Sequence, residues 1–195
     1  MAAPQGRRDE ILARAAALFA RKGVASTTVR EIADEVGILS GSLYHHFESK
    51  EAMVDEIIST YLDDLRARYK EVMTAGGDAR TRLHNLIRVS LETAFDHPHA
   101  TEIYQNDANY LRGLERFSYL KNVTREVQST WMSVIESGIA EGSFRSDIDT
   151  KIFYRLIRDA IWLSVRWFEP TSKYPLEKFV DDCVSIFVDG LRARP

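Results

Sequence analysis

The sequence predicts an all-α protein, a three-helix head at the N-terminus followed by a larger helical body, about nine helices in all. Three observations lead there. Apolar residues recur at three- and four-residue spacing from Ile11 to Leu191, interrupted by glycine and proline at helix-length intervals. No stretch alternates polar and apolar as a half-buried strand would. Between Thr27 and Lys50, two short helical patterns meet at Gly37.

The first helix is expected over Gly6 to Lys22, burying Ile11, Ala15, Leu18 and Phe19, with Gly23 as its stop. Val29, Ile32, Ala33 and Val36 share one face of the second, with Thr27 or Thr28 as its N-cap and Gly37 at its end. Ser40 is placed to cap the third, in which Leu43 and Phe47 face inward and Ser42, Tyr44, His45 and His46 face outward. The fourth opens at Ser49 and runs through Met53, Ile57, Tyr61, Leu65 and Tyr69 towards Met73, where Gly76 and Gly77 close it. The fifth covers Ala79 to Phe95 and stops before His97 and Pro98. The remaining four are expected over Ala100 to Tyr110, Leu114 to Glu141, Asp149 to Phe168 and Leu176 to Leu191. A natural division falls at residue 50, giving a head over 1–50 and a body over 51–195. The last two helices are apolar on more than one stripe, so each needs two partners. The second is most simply the same helix of another copy across a two-fold axis.

Two short helices joined by a tight glycine turn form a helix-turn-helix, whose second helix enters the major groove of DNA. An ordinary solvated hairpin would carry Glu, Lys and Gln on its outer face. This one carries hydroxyls, imidazoles and a phenol, which suit phosphate oxygens and base edges. Thr28 and the free N–H groups of the turn it opens are placed for a phosphate. Ser40, Gly41 and Ser42 are the candidates for base contact, since small residues allow close approach, and Leu39 can pack on a thymine methyl. The net charge of −3 excludes a broad basic field. Seven Lys/Arg against six Asp/Glu leave the first fifty residues at +1 and the remainder at −4. Affinity must come from a few placed groups, doubled in a dimer on a palindromic operator.

Residues 7 to 53 resemble the DNA-binding head of the TetR family of bacterial transcriptional regulators. The likeness runs from Ile11, Ala15, Leu18, Phe19 and Lys22-Gly23, through Thr27 to Ala33, to Gly41-Ser42-Leu43-Tyr44-His45-His46-Phe47 and Lys50-Glu51. It implies a small head on a helical ligand-binding body, a four-helix dimer interface from the last two helices, and repression as the usual outcome. By position it places Tyr44, His45 and Lys50 on the DNA backbone.

The body carries the signal. Large aromatics mix with amide and charge between residues 100 and 168: Tyr104, Asn106, Asn109, Tyr110, Phe117, Trp131, Trp162, Trp167 and Phe168. Singly each reads as core; together they can wall an apolar cavity. Arg155, Arg158 and Trp162 fall at i, i+3 and i+7 and share a helical face. Asp159 is rotated about 100° from Arg158, so it is not an automatic partner. An apolar cavity with a cationic mouth suits an amphipathic anion such as an acyl-CoA thioester. The run FEPTSKYP after the eighth helix is similar to TetR-type repressors of steroid-catabolic genes, which implies a CoA thioester of a steroid-ring catabolite, held by Arg158 and Trp162. A different hydrophobic ligand, from efflux or another lipid pathway, is the alternative.

Other chemistry finds little support. There is no glycine-rich phosphate loop, no metal-spaced His/Cys cluster and no sequence cue for a nucleophilic triad, so neither enzyme nor cofactor is expected. His97 and His99 lack a third ligand. The single cysteine, Cys183, cannot form an internal disulfide and reads as a buried thiol. No apolar run reaches about 18 residues, and the first residues lack a hydrophobic signal core. A cytoplasmic protein with no membrane partner is expected.

Overall fold

The computed structural model describes residues 6–191 and is α-helical, with no β-strand among them. The elements are α1 (Arg7–Lys22), α2 (Val29–Glu35), α3 (Ser40–Leu43), α4 (Lys50–Ala75), α5 (Ala79–Asp96), α6 (Pro98–Asn106), α7 (Ala108–Arg112), α8 (Leu120–Ala140), α9 (Thr150–Trp162) and α10 (Leu176–Val184). Short 3-10 turns cover Glu115–Phe117 and Ser164–Arg166, and a π turn covers Ser185–Asp189. The chain forms two compact units. One comprises residues 1–62 and 96–121, the other 63–95 and 122–195; α4 begins in the first and ends in the second.

In the first unit, Ile11, Ala15 and Phe19 of α1 are fully buried with Val24, Ile32, Ala33, Val54 and Ile58. Arg8 grips both carboxylate oxygens of Glu56 at 2.6 Å and lies over the Phe47 ring at 4.4 Å, fastening α1 to α4. The Arg7 guanidinium donates to the Val36 carbonyl at the end of α2. The second unit is built around Trp131 of α8, which is fully buried. Its indole N–H donates to the Tyr69 hydroxyl at 2.8 Å, the Tyr69 hydroxyl lies 2.6 Å from Ser90, and Ser90 donates to the Leu86 carbonyl at 2.6 Å. Because the one Ser90 proton is used on Leu86, Tyr69 must be the donor to Ser90, and the Trp131, Tyr69 and Ser90 side chains each find a partner in this network.

Capping and stop signals act where the sequence places them. Thr28 caps α2, Ser49 accepts from the Ala52 N–H at 3.0 Å, and Gly76 and Gly77, both at positive φ, end α4. Four expectations need correction. Ser40 is the first helical residue of α3; the cap position belongs to Leu39, which makes no side-chain capping bond. The helix expected from Ala100 to Tyr110 starts at Pro98, fixed in φ and suited to a first turn, and breaks at Asp107. The side chain of Asp107 is drawn to the Val24 N–H. The helix expected from Leu114 begins only at Leu120, because Arg116 pairs with Glu48 and Asp55 while Tyr119 donates to Asp55 at 2.9 Å. The helix expected to reach Phe168 ends at Trp162, and the chain tightens into a 3-10 turn that stacks Phe168 on Phe179 at 4.1 Å.

The C-terminal stripe also shifts. Helical spacing places Phe187 beside Cys183, but the π turn inserts one residue, so Val188 is buried and Phe187 only half-buried. Cys183 itself is buried, which pushes its thiol up to about 11 and leaves it a packing residue.

Candidate functional site

The helix-turn-helix is assembled from α2, the turn 36–39 and α3. Thr28 and Glu31 form a reciprocal capping box: the Thr28 hydroxyl accepts from the Glu31 N–H at 3.2 Å, and the Glu31 carboxylate accepts from the Thr28 N–H at 2.8 Å. Lys22 also binds the Glu31 carboxylate. That lysine and the two Thr28 donors hold Glu31 well below the ordinary carboxyl range, at about 2. The N-terminus of α2 therefore already carries an anionic group, and a phosphate near Thr28 has to share it. Gly37 at φ +68 makes the turn, and the Ile38 N–H returns to the Ala33 carbonyl at 3.0 Å.

Leu43 and Phe47, 2% and 5% exposed, anchor α3 from below. The helix is four residues long, and residues 44–46 continue it as hydrogen-bonded turns. Around these anchors Leu39 is 80% exposed and Tyr44 56% exposed. Gly41 and His45 are exposed too, with Ser40 and Ser42 half-buried beside them. An apolar tip, a phenol, an imidazole and two hydroxyls thus share one outer surface. Arg30 is solvated, loosely paired with Asp34 at 4.0 Å. Lys50 is placed differently from the rest: its ammonium donates to the Val24 and Thr27 carbonyls at 2.8 and 2.9 Å.

The residues proposed from sequence for the effector fall in both units. Tyr104, Asn106 and Tyr110 lie in the first, where Tyr104 is half-buried with its ring 6.3 Å from Tyr61, and Asn106 and Tyr110 are exposed. Trp131, Arg155, Arg158 and Trp162 lie in the second. The Trp131 and Trp162 rings are 6.4 Å apart, with Tyr154 6.2 Å from Trp131, and they form a closed aromatic core. On the same helix Arg155 is exposed, and Arg158 pairs with Asp159 at 2.6 to 2.8 Å. Helical rotation makes Asp159 no automatic partner, and the long Arg158 side chain bends across about 100° to reach it.

Two clefts stand out among the described residues. One of about 360 Å³ in the second unit lies between α4 and α8, lined by Arg66, Tyr69, Lys70, Met73, Glu126 and Val127 among others. Arg66 at its edge is bound to Glu126 at 3.0 Å. Its floor touches Tyr69, hence the Trp131 network. The other, about 320 Å³, lies in the first unit beside Leu12, Ala16, Ile57, His97 and Pro98. Both are at the small end for ligand sites. None of the seven residues drawn from the sequence lines either one.

Sequence reasoning missed Asp107 and the polar partners of Tyr69. A signal for the first was present: Ile103, Asp107 and Leu111 are spaced i, i+4 and i+8, so the acid falls on a buried stripe. Nothing in the sequence singles out the pairing of Tyr69 with Trp131 and Ser90.

Comparison with known proteins agrees with this architecture. Residues 11–57 match the family of bacterial regulatory proteins named for tetR, and residues 76–191 match the tetracyclin repressor-like C-terminal domain. The chain is 48% identical over 187 residues to the HTH-type transcriptional repressor KstR2 of Rhodococcus jostii (strain RHA1), covering 95% of this chain and 91% of that protein. It is 42% identical over 189 residues to the KstR2 of Mycolicibacterium smegmatis (strain ATCC 700084 / mc(2)155), covering 96% and 92%. Among solved structures, the ketosteroid transcriptional regulator KstR2 of Mycobacterium tuberculosis superposes with a TM-score of 0.91 at 42% identity over 97% of both chains. The match spans the head and the body alike, and the chain belongs to the TetR family of bacterial regulatory proteins, which are DNA-binding regulators and not enzymes.

Proposed function

We propose that the protein is a ligand-responsive repressor that binds a palindromic operator as a homodimer and leaves it when the body takes up an amphipathic anion, a CoA thioester of a steroid-ring catabolite. The observation that carries this reading is identity of 42–48% with KstR2 repressors over more than nine-tenths of each chain. A head alone identifies only the class of regulator; likeness through the body extends to the class of signal. The name ketosteroid regulator, borne by the M. tuberculosis relative, supports a steroid-derived ligand.

Residues 1–50 serve as the DNA-binding domain and 51–195 as the effector-binding and dimerisation domain in this reading. Tyr44, His45 and the start of α2 at Thr28 meet the DNA backbone, while Leu39, Ser40, Gly41 and Ser42 meet base edges. Arg155 and Arg158 offer fixed positive charge to the ligand's phosphates, and Trp131 and Trp162 offer apolar surface once the aromatic core opens. Ile152 and Leu156 on α9 and Ile186 beyond α10 are more than half exposed, as a second copy requires. No helix among the described residues is long and apolar enough to cross a membrane. The test is fluorescence anisotropy of selected operator DNA with steroid-acid CoA thioester, free CoA and the free acid. Release by the thioester alone supports the reading. Release by an unrelated lipophile and not by the thioester replaces the ligand.

A further inference from the structure

We propose that Asp107 and Lys50 are positioning residues that clamp the Val24 backbone at its N–H and its carbonyl and set the entry to the helix-turn-helix, so that Lys50 serves DNA binding from within the protein and not as a phosphate contact. The Val24 N–H donates to the Asp107 carboxylate at 3.1 Å, and the Val24 carbonyl accepts from the Lys50 ammonium at 2.8 Å. Lys50 spends a second donor on the Thr27 carbonyl at 2.9 Å, and the buried Thr27 hydroxyl donates to the Gly23 carbonyl at 2.8 Å. The next residue, Thr28, is the cap of α2. Three carbonyls and one amide of the turn 23–27 are thus held before the DNA-binding helices begin. A backbone fastened at this density passes little freedom to the cap that follows it.

Both side chains stand where another role explains them poorly. Asp107 occupies a buried stripe between Ile103 and Leu111, where an apolar residue packs without loss. One of its carboxylate oxygens is buried with no hydrogen-bond partner. Burial pushes its carboxyl up, opposed by the Val24 amide and the Lys50 charge. A carboxylate placed against that desolvation has the turn as its visible use. A lysine that serves DNA phosphate keeps its ammonium in solvent, whereas Lys50 has turned two of its three donors onto main-chain carbonyls. The clamp joins the segment 98–112 to the head within one compact unit.

The proposal rests on operator binding by the head and is tested through its salt dependence. The probe is a duplex selected from a random-sequence pool by the wild-type protein, and the variants are Lys50→Met, Asp107→Ala and Asp107→Asn. Losing one phosphate contact per head lowers the slope of log affinity against log salt by about 0.9, or roughly 1.8 for two heads. The clamp predicts weaker binding for Lys50→Met and Asp107→Ala with that slope unchanged, and recovery in Asp107→Asn, which keeps an acceptor oxygen. Hydrogen exchange at the Val24 amide should quicken in Asp107→Ala and slow again in Asp107→Asn. A Lys50→Met slope lower by roughly 1.8, or unaltered affinity in either Lys50→Met or Asp107→Ala, overturns the proposal. If Asp107→Ala does not fold, exchange at Val24 in Asp107→Asn decides: exchange far faster than in the wild type overturns the clamp, and protection close to wild type supports it. Should the wild type select no duplex, it is the reading of function that fails.

Discussion

Arg158 and Trp162 stand about one turn apart on α9 and differ in what surrounds them, so their substitutions should separate. The Arg158–Asp159 pair is exposed, and a pair of that kind contributes no more than about 1 kcal/mol. Arg158→Ala should leave thermal unfolding and operator binding almost unchanged and cost effector response; normal release would remove it from the site. Trp162 is 4% exposed against Trp131, so Trp162→Ala should cost about 3–5 kcal/mol in urea unfolding whether or not it meets ligand. Trp131→Phe keeps most of the ring but leaves the buried Tyr69 hydroxyl without its donor, an expected loss of about 1–3 kcal/mol. At this scale the sequence showed which side chains face inward, because Trp131, Leu43 and Phe47 lie on helical stripes. It did not show Arg158 bending to Asp159 or Asp107 reaching Val24, since long or short polar side chains choose partners by tertiary proximity, which spacing does not encode.

Helix boundaries divide the same way. Thr28, Ser49 and the glycines 37, 76 and 77 act on their own neighbours, and their effects were legible. The breaks at Asp107, before Leu120 and after Trp162 answer to residues far along the chain: Val24, Glu48 with Asp55, and Phe179. No local pattern announces them. The capping box at α2 makes a pH prediction. The folded Glu31 carboxyl is depressed, from 4.5 to about 2, so its contribution is present above the unfolded value and lost as pH falls through about 2. The urea midpoints of wild type and Glu31→Gln should therefore converge between pH 5 and pH 2; a constant gap would contradict the box. At α8, a Cβ on Gly138 would run into the buried Phe144 ring. Gly138→Ala should cost about 1–3 kcal/mol by overpacking despite alanine's better helix propensity, and a stabilised variant would show that Phe144 yields freely.

In the proposed function the molecule as a whole joins two heads and lets one ligand control both. Leu156 and Ile186 are each more than 60% exposed, and substitution by glutamate should raise the dimer Kd by roughly thirtyfold per site, about 2 kcal/mol, as read by sedimentation. Operator affinity should fall with it, since the head is close to neutral and, in the proposed function, binds as a doubled unit. The all-helical class and the helix-turn-helix were legible from periodicity and one glycine turn; the clefts beside α4 were not, because a cleft is the space left between elements. Ligand control is a population shift: taking operator from nearly all bound to nearly all free needs about 10⁴-fold preference for the released state, roughly 5.5 kcal/mol. The most direct measurement is operator occupancy against steroid-acid CoA thioester concentration, with thioester binding followed in the same samples by calorimetry. Occupancy falling to near zero as the body saturates is the predicted result, and full occupancy with the body saturated would contradict it.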